Sequence, residues 1–357
     1  MFGGGDRCLS KRRGSQLIEQ LNQRERLVSV VVPVYYNEKN IPVTWPALRE
    51  ALQGLPDGVD WEVIFVDDGS GDDSYSRLVE VQRDAPDRVR VVKLTRNFGQ
   101  VSAILAGLRE ARGDCCVVMS ADLQDPPELI LTLVERWLRG PHKIVLATRA
   151  AREDGPIARW TSRAFYGLMR RYAIPEMPLG GFDFFLIDRV VADFMTTVEE
   201  KNTFLQGQIL WTGYKPELVS YVRRKRDLGK SRWTLAKKIK YFADGFVTYT
   251  VAPIRLITAL GLIVSVLSFG YAIVIVLAKL FWSIPVEGWA PTMISILGLA
   301  GVQLVMLGII GEYLWRNYHE TRKLPNFVVE SVLTADSPRS GEHINEKATT
   351  SLHSGNP

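Results

Sequence analysis

Asp122 and Gln124 stand two positions apart in the stretch VVMSADLQDPPEL, at the end of an apolar run. Both side chains offer oxygen, the donor that Mg2+ and Mn2+ prefer. Such ions usually take one or two carboxylates and complete their shell with substrate phosphates and water. In an extended segment, positions 122 and 124 lie on one side of the chain, so the two can share one ion. Ser120 stands where a second carboxylate would be the obvious ligand. Pro126 and Pro127 stiffen the exit and suit the first turn of a following helix, which Asp125 is placed to cap.

Two more polar groups follow apolar runs. In FVDDGSGDDS, Asp67 and Asp68 precede Gly69. A carboxylate there can accept hydrogen bonds from a nucleotide base or from ribose hydroxyls, or simply close an Asp-Gly turn. In VPVYYNE, Pro33, Tyr35 and Glu38 follow the first apolar run. Asp183, alone among aromatic residues in GGFDFF, fits either contact with a sugar hydroxyl or a hydrogen-bonded structural role. The four histidines are scattered and carry no assignment.

Placing three such clusters together requires a particular scaffold. From Leu27 to about Ala150, β-branched apolar runs alternate with segments of helical spacing. Continuous apolar strands alternating with helices predict an α/β fold with a parallel sheet covered on both faces. Ligands of such sheets bind outside the carboxyl ends of the strands, where all three clusters fall. Residues 151 to 220 are mixed and extend the same domain. Cys115 and Cys116 are adjacent within an apolar run, which predicts buried thiols in a reducing compartment rather than a disulfide framework.

The charge is uneven. The net value is +5, but RRKRDLGKSRWTLAKKIK, residues 223 to 240, holds nine Lys or Arg and one acid. Directly after it the chain turns apolar. Leu256 to Leu277 carries no charge and is long enough to cross hydrocarbon as a helix. Trp289 to Trp315 forms a second long apolar stretch, with Glu312 near its end, and RNYHETRK follows it. Positive flanks on both sides of a two-span hairpin predict that the large domain and both termini are cytoplasmic, at the inner (cell) membrane. The alternative is a pair of buried core helices in a soluble protein. The basic run next to apolar spans points to lipid headgroups, at about 1 kcal/mol per Lys or Arg, or to phosphate groups, and not to nucleic acid. Lys237, Lys238 and Lys240 fit the lipid role. The segment 233 to 250 has the mixed aromatic and basic character of an interfacial helix. Gly298, Gly301, Gly308 and Gly311 permit close helix contact, within the chain or in a homo-oligomer. The predicted order is therefore a mobile basic tail (1–26), a catalytic domain (27–222), a juxtamembrane interfacial segment (223–250), two spans (251–317) and a cytoplasmic tail (318–357), disordered at its end.

The ordered set VPVYYNE, VDDGS and SADLQDPPE resembles family 2 glycosyltransferases of the GT-A fold. LTRNFGQ, AILAGLREARGD and a late GKSRWT before two spans narrow the resemblance to polyprenyl-phosphate glycosyltransferases, over roughly residues 27 to 325. That resemblance implies a hexosyltransferase moving one sugar from a nucleotide-sugar, with UDP favoured, to polyprenyl (undecaprenyl) phosphate, with inversion. It implies that Pro33, Tyr35, Glu38 and Asp67 or Asp68 line the nucleotide site, with Asp183 toward the sugar. It implies that Asp122 and Gln124 hold Mg2+ or Mn2+ on the donor diphosphate. It also makes Ser162, Arg163, Lys230, Ser231 and Arg232 acceptor-phosphate candidates. Arg159, Arg223 and Arg226 add positive charge at the same edge. Many relatives read D-A-D-L-Q where this chain reads S-A-D-L-Q, so the site has one charge fewer.

The chemistry asks little of the protein. A lipid phosphate is already an anionic nucleophile at neutral pH, so no general base is required. What is required is stabilisation of the departing diphosphate. A processive polysaccharide synthase of the same fold is the alternative; QGQILW lacks the Arg of the Q-x-x-R-W signature of that class. A non-catalytic lipid-phosphate-binding protein would be expected to have lost more of Pro33, Glu38, Asp122 and Gln124.

Overall fold

The computed structural model of the protein describes residues 25–149, 174–178, 181–198, 204–222, 252–281, 288–322 and 324–335, with isolated positions between 167 and 171. Strands β1 (Arg26–Val34), β2 (Val59–Asp67), β3 (Val89–Leu94), β4 (Cys115–Val118), β5 (Ile144–Arg149), β6 (Phe184–Asp188), β7 (Glu217–Tyr221) and β8 (Val329–Leu333) form one sheet. Its order is β7-β5-β6-β4-β1-β2-β3-β8. The centre, β4-β1-β2-β3, is parallel. β6 runs antiparallel between β4 and β5, and β8 antiparallel along β3. The sheet is thus mostly parallel, as the sequence pattern predicts, with two reversed strands it does not reveal.

The strands are apolar on both faces because both faces are covered. Val28, Val30, Val32 and Val34 of β1 join one core cluster, and Val31 joins the other. Helices α1 (Ile41–Gln53), α2 (Ser74–Asp84) and α4 (Leu129–Arg139) pack on the first face. Helices α3 (Gln100–Glu110), α5 (Arg189–Thr197) and the short α6 (Leu205–Trp211) pack on the second. In α1, Ile41, Trp45, Leu48 and Leu52 sit three to four residues apart and are all buried, the spacing of one helix face. Phe65, Phe184, Phe185 and Phe204 are among the fully buried side chains; each contributes roughly 1.5–3 kcal/mol of burial. Gly107 lets α3 approach closely, since a Cβ there would lie 2.4 Å from Val31 Cγ1.

After β7 the chain enters α7 (Ala252–Phe281) and α8 (Trp289–Thr321). One described segment, Gly298–Trp315, is long and apolar enough to cross a membrane, and none of it is buried inside the protein. Ile257–Tyr271 of α7 is a shorter apolar stretch. A Cβ on Gly261 would lie 2.8 Å from Met306 Cε, marking a close approach of the two helices. Gly298, Gly301, Gly308 and Gly311 have no such neighbour within 4 Å.

The region after the helices departs from expectation. Val329–Leu333, which the sequence pattern assigns to a tail, pairs with β3 from Val91 to Leu94. Lys93 Nζ reaches Glu330 at 2.8 Å, and Thr95 N donates to Val328 O at 3.0 Å. The segment VVESVL is short and carries one acid, so nothing local separates it from a tail; the open edge of β3 is what orders it.

Candidate active site

The tips of β4, β1 and β2 lie side by side, which brings Asp122 and Gln124, Pro33 to Glu38, and Asp67 with Asp68 to one end of the sheet. Asp183, just before β6, reaches the same end, because Phe185 pairs with Val118 near the tip of β4. Ser162, Arg163, Arg226, Lys230, Ser231 and Arg232, with Arg159 and Arg223, lie outside the described residues.

The loops at the tips of β1 and β2 are bound to each other. Tyr36 N donates to Ser70 Oγ at 3.0 Å and Asn37 N to Ser74 Oγ at 2.7 Å. Asp73 N approaches Glu38 Oε2 at 3.4 Å. Gly69, at φ +66, lets this loop lie against the next one: a Cβ would meet the Arg96 backbone at 2.4 Å. Among the described residues the non-glycine positions with positive φ are Tyr36 (φ 55) and Leu123 (φ 53), one in each of two site loops. Left-handed backbone costs such residues about 1–2 kcal/mol. The surrounding bonds hold it in place, a pattern common at functional sites.

The adjacent acids Asp67 and Asp68 divide their work. Asp68 accepts from Asn97 Nδ2 at 3.0 Å, Phe98 N at 2.7 Å and Gly99 N at 2.9 Å. It is the clamp of the loop between β3 and α3. Asp67 is fully buried; its Oδ2 accepts from Ser70 N at 3.3 Å, and its Oδ1 has no hydrogen-bond partner. Burial pushes the carboxyl groups of both above the ordinary carboxylate range, against the lowering effect of those hydrogen bonds.

The Asp122 loop is not extended. Leu123 takes positive φ, and Gln124 N folds back to donate to Asp122 Oδ1 at 3.2 Å. Proximity of Asp122 and Gln124 therefore comes from a turn and not from the alternation of a strand. Asp125 is not the helix cap: α4 starts after Glu128, without a side-chain cap. It is instead a fully buried carboxylate that accepts from Tyr221 Oη, and Ser120 Oγ lies 3.2 Å from its Oδ2. Ser120 Oγ also lies 2.9 Å from Asp122 Oδ1. Asp183 is exposed and pairs with Arg149, whose own side chain is only 11% exposed. Arg149 and Tyr221 are neighbours in register on β5 and β7. Neither stood out in the sequence, because each closes an ordinary strand and their meeting depends on sheet order.

Residues 29–195 match the family Glycosyl transferase family 2. Over 312 residues the chain is 36% identical to the uncharacterized glycosyltransferase YkcC of Bacillus subtilis, covering 87% of this chain and 95% of the relative. The chain belongs to glycosyl transferase family 2. This family 2 glycosyltransferase is also 35% identical to the bactoprenol glucosyl transferase of Shigella phage SfV, over 85% of this chain and 98% of the relative. Among solved structures it is similar to the mannosyltransferase PcManGT of Pyrobaculum calidifontis, at 21% identity and a TM-score of 0.45, covering 63% of this chain and 64% of that one.

A divalent ion fits the donor set at the β4 tip of the glycosyltransferase. Asp122 would supply a carboxylate and Gln124 an amide oxygen, both hard ligands. Among the described residues no three His, Cys, Asp or Glu side chains form a metal cage. One protein carboxylate, completed by substrate phosphates and water, is the arrangement Mg2+ ordinarily takes. The two thiols play no part: Cys115 and Cys116 are buried and free, and burial raises the Cys116 thiol to about 12.

Proposed function

We propose that this glycosyltransferase moves one hexose from a nucleotide-sugar, with UDP as the favoured base, to polyprenyl (undecaprenyl) phosphate at the cytoplasmic face of the cell membrane, with inversion. The observation that carries the donor half is the orphaned Asp67 Oδ1, buried at the tip of β2, at the same end of the sheet as the Asp122 turn. A buried carboxylate oxygen without a donor is costly, and the N–H of a nucleotide base would satisfy it. Pro33, Tyr35 and Glu38 line the neighbouring loop and complete the nucleoside cradle. Asp122 and Gln124 would hold Mg2+ or Mn2+, whose charge offsets that developing on the departing diphosphate. The acceptor phosphate attacks as an anion from the face opposite the leaving group, so no residue has to remove a proton. Ser162, Arg163, Arg226, Lys230, Ser231 and Arg232 are the proposed acceptor-phosphate contacts, and Asp183 a contact to the sugar.

The acceptor half rests on the relative named a bactoprenol glucosyl transferase and on the path of the chain. β7 precedes the two apolar helices and β8 follows them, yet both belong to one sheet. A chain that leaves and rejoins the same sheet crosses a bilayer an even number of times. A single crossing at Gly298–Trp315 would put β8 on the far side from β3. Two crossings, through α7 and α8, agree with the pairing and with basic flanks on the same side as the sheet.

Purified full chain, undecaprenyl phosphate and labelled UDP-glucose, UDP-N-acetylglucosamine or GDP-mannose, incubated with and without chelator, provide the test. A lipid carrying one sugar, formed from one donor and lost with chelator, is expected. Absence of such product from every donor overturns the reading.

A further inference from the structure

A line of hydrogen-bonding groups runs from the Asp122 turn to the end of β7. Ser120 Oγ lies between Asp122 Oδ1, at 2.9 Å, and Asp125 Oδ2, at 3.2 Å. A hydroxyl has one proton, so it can donate to one of these carboxylates at a time. The other oxygen of Asp125 accepts from Tyr221 Oη. Tyr221 stands in register beside Arg149, which pairs with Asp183. Asp125 and Tyr221 are buried and the Arg149 side chain is only 11% exposed, so this network is held away from water, where breaking a charged hydrogen bond is costly. Burial and the neighbouring Asp125 push the Tyr221 phenol well above its ordinary range, which keeps it a proton donor.

We propose that Tyr221 and Arg149 are positioning residues that fix Asp125 and, through the Ser120 hydroxyl, hold the Asp122 carboxylate in the orientation that takes the divalent ion. The inference rests on the reading of Asp122 as the metal-binding carboxylate. Ser120 thereby acquires a definite role. With Asp125 as a buried anchor, its hydroxyl orients Asp122 without adding the charge a second carboxylate would bring. With Asp122 engaged by an ion, the Ser120 hydroxyl would keep Asp125 as an acceptor. The anchor also has a direction. Tyr221 ends β7, and the basic run of residues 223 to 240 begins two positions later. The strand that leads into the proposed acceptor segment is therefore the strand that steadies the donor carboxylate.

The experiment measures Mn2+ binding, in the presence of UDP, by electron paramagnetic resonance of free Mn2+, on full-length protein. Wild type is compared with Tyr221→Phe, Asp122→Asn and Ser29→Ala. Ser29 lies at the opposite end of β1, where its hydroxyl joins buried Glu62 and Gly113 N; this variant is the control for destabilisation alone. Tyr221→Phe is expected to weaken Mn2+ binding about tenfold, the usual lower bound for losing an outer-sphere partner. Its kcat should fall by a similar factor, with KM for polyprenyl phosphate unchanged. Ser29→Ala should lower the melting temperature and leave Mn2+ binding as in wild type. The inference is overturned if Tyr221→Phe binds Mn2+ like wild type, or if Ser29→Ala weakens binding equally. If wild type itself takes up no Mn2+ with UDP, or Asp122→Asn binds as wild type does, the metal reading of Asp122 falls and the inference with it. If Asp122→Asn alone loses binding, only the positioning role fails.

Discussion

The two ends of the sheet both bury charge, and they treat it differently. At the amino end, Glu62 accepts from Ser29 Oγ at 2.7 Å, Arg112 N at 2.7 Å and Arg112 Nε at 3.1 Å, with Arg90 at 3.5 Å. Asp188 there accepts from Trp137 Nε1, Lys143 Nζ and Val190 N, all within 3.2 Å. Each of these carboxylates is surrounded by donors from elements that must be held together. At the carboxyl end, Asp68 is satisfied in the same manner, but its neighbour Asp67 keeps a buried oxygen with no partner. Burial of a charge is therefore no mark of function in this protein. The unsatisfied Asp67 oxygen at the strand tips has no such partners, and it shares this only with the side-chain amides of Gln206 and Gln208 on α6 among the described residues.

That contrast can be broken by mutation. The largest expected effect is at the β4 tip: Asp122→Asn should lower turnover by about 100-fold or more, the scale of removing one preorganised electrostatic contact, with melting temperature nearly unchanged. Undiminished turnover would remove Asp122 from the metal assignment. At the other end, Glu62→Ala should cost about 3 kcal/mol in urea unfolding, because it removes the acceptor of Ser29 Oγ and Arg112 N and one partner of the largely buried Arg90, while donor KM in the folded fraction stays at the wild-type value. A changed donor KM would mean that the two ends are not independent.

The adjacent acids sharpen the comparison further. Asp68→Ala should lose about 1–3 kcal/mol of stability through its three orphaned donors. Asp67→Asn should raise donor KM about tenfold, on the scale of one hydrogen bond to a charged group, without loss of stability. The pH dependence follows from the raised Asp67 carboxyl. A carboxyl raised on folding makes the folded state bind its proton more tightly, so its ionisation destabilises the protein as pH climbs from 3.8 through the raised value. Asp67→Asn removes that penalty. Its stability relative to wild type should be greatest at neutral pH and vanish in acid, as read from urea midpoints across pH. Opposite behaviour would place a donor on Asp67 Oδ1. The smallest effect on turnover belongs to Ser120→Ala, expected at about tenfold, the same as Tyr221→Phe; a loss equal to that of Asp122→Ala would make Ser120 a ligand.

Much of this was readable from residue pattern. The β-branched runs and the helices between them fell where expected because a parallel centre is buried on both faces, so apolarity is continuous and the breaks are clear. The strand-end clusters Tyr35–Glu38, Asp67–Ser70 and Asp122–Asp125 converge for the same reason. The partners of those residues were not readable. Asp125 looked like a cap, since an acid before a helix usually is one; the structure gives it to Tyr221, 96 residues away. Asp122 and Gln124 looked like neighbours on one side of an extended chain; Leu123 at positive φ makes them neighbours in a turn.

The sequence by itself determined which residues form the central strands, which end of the sheet carries the acidic clusters, and that two apolar stretches interrupt the chain between basic flanks. These are local facts, written in period, charge and turn residues. Tertiary structure decided which of Asp67 and Asp68 is left unsatisfied, that Arg149 and Tyr221 stand behind the Asp122 turn, and that Val329–Leu333 rejoins the sheet. Those depend on which strands lie side by side, and strand order is set by contacts between segments far apart in sequence, where no local pattern can record them.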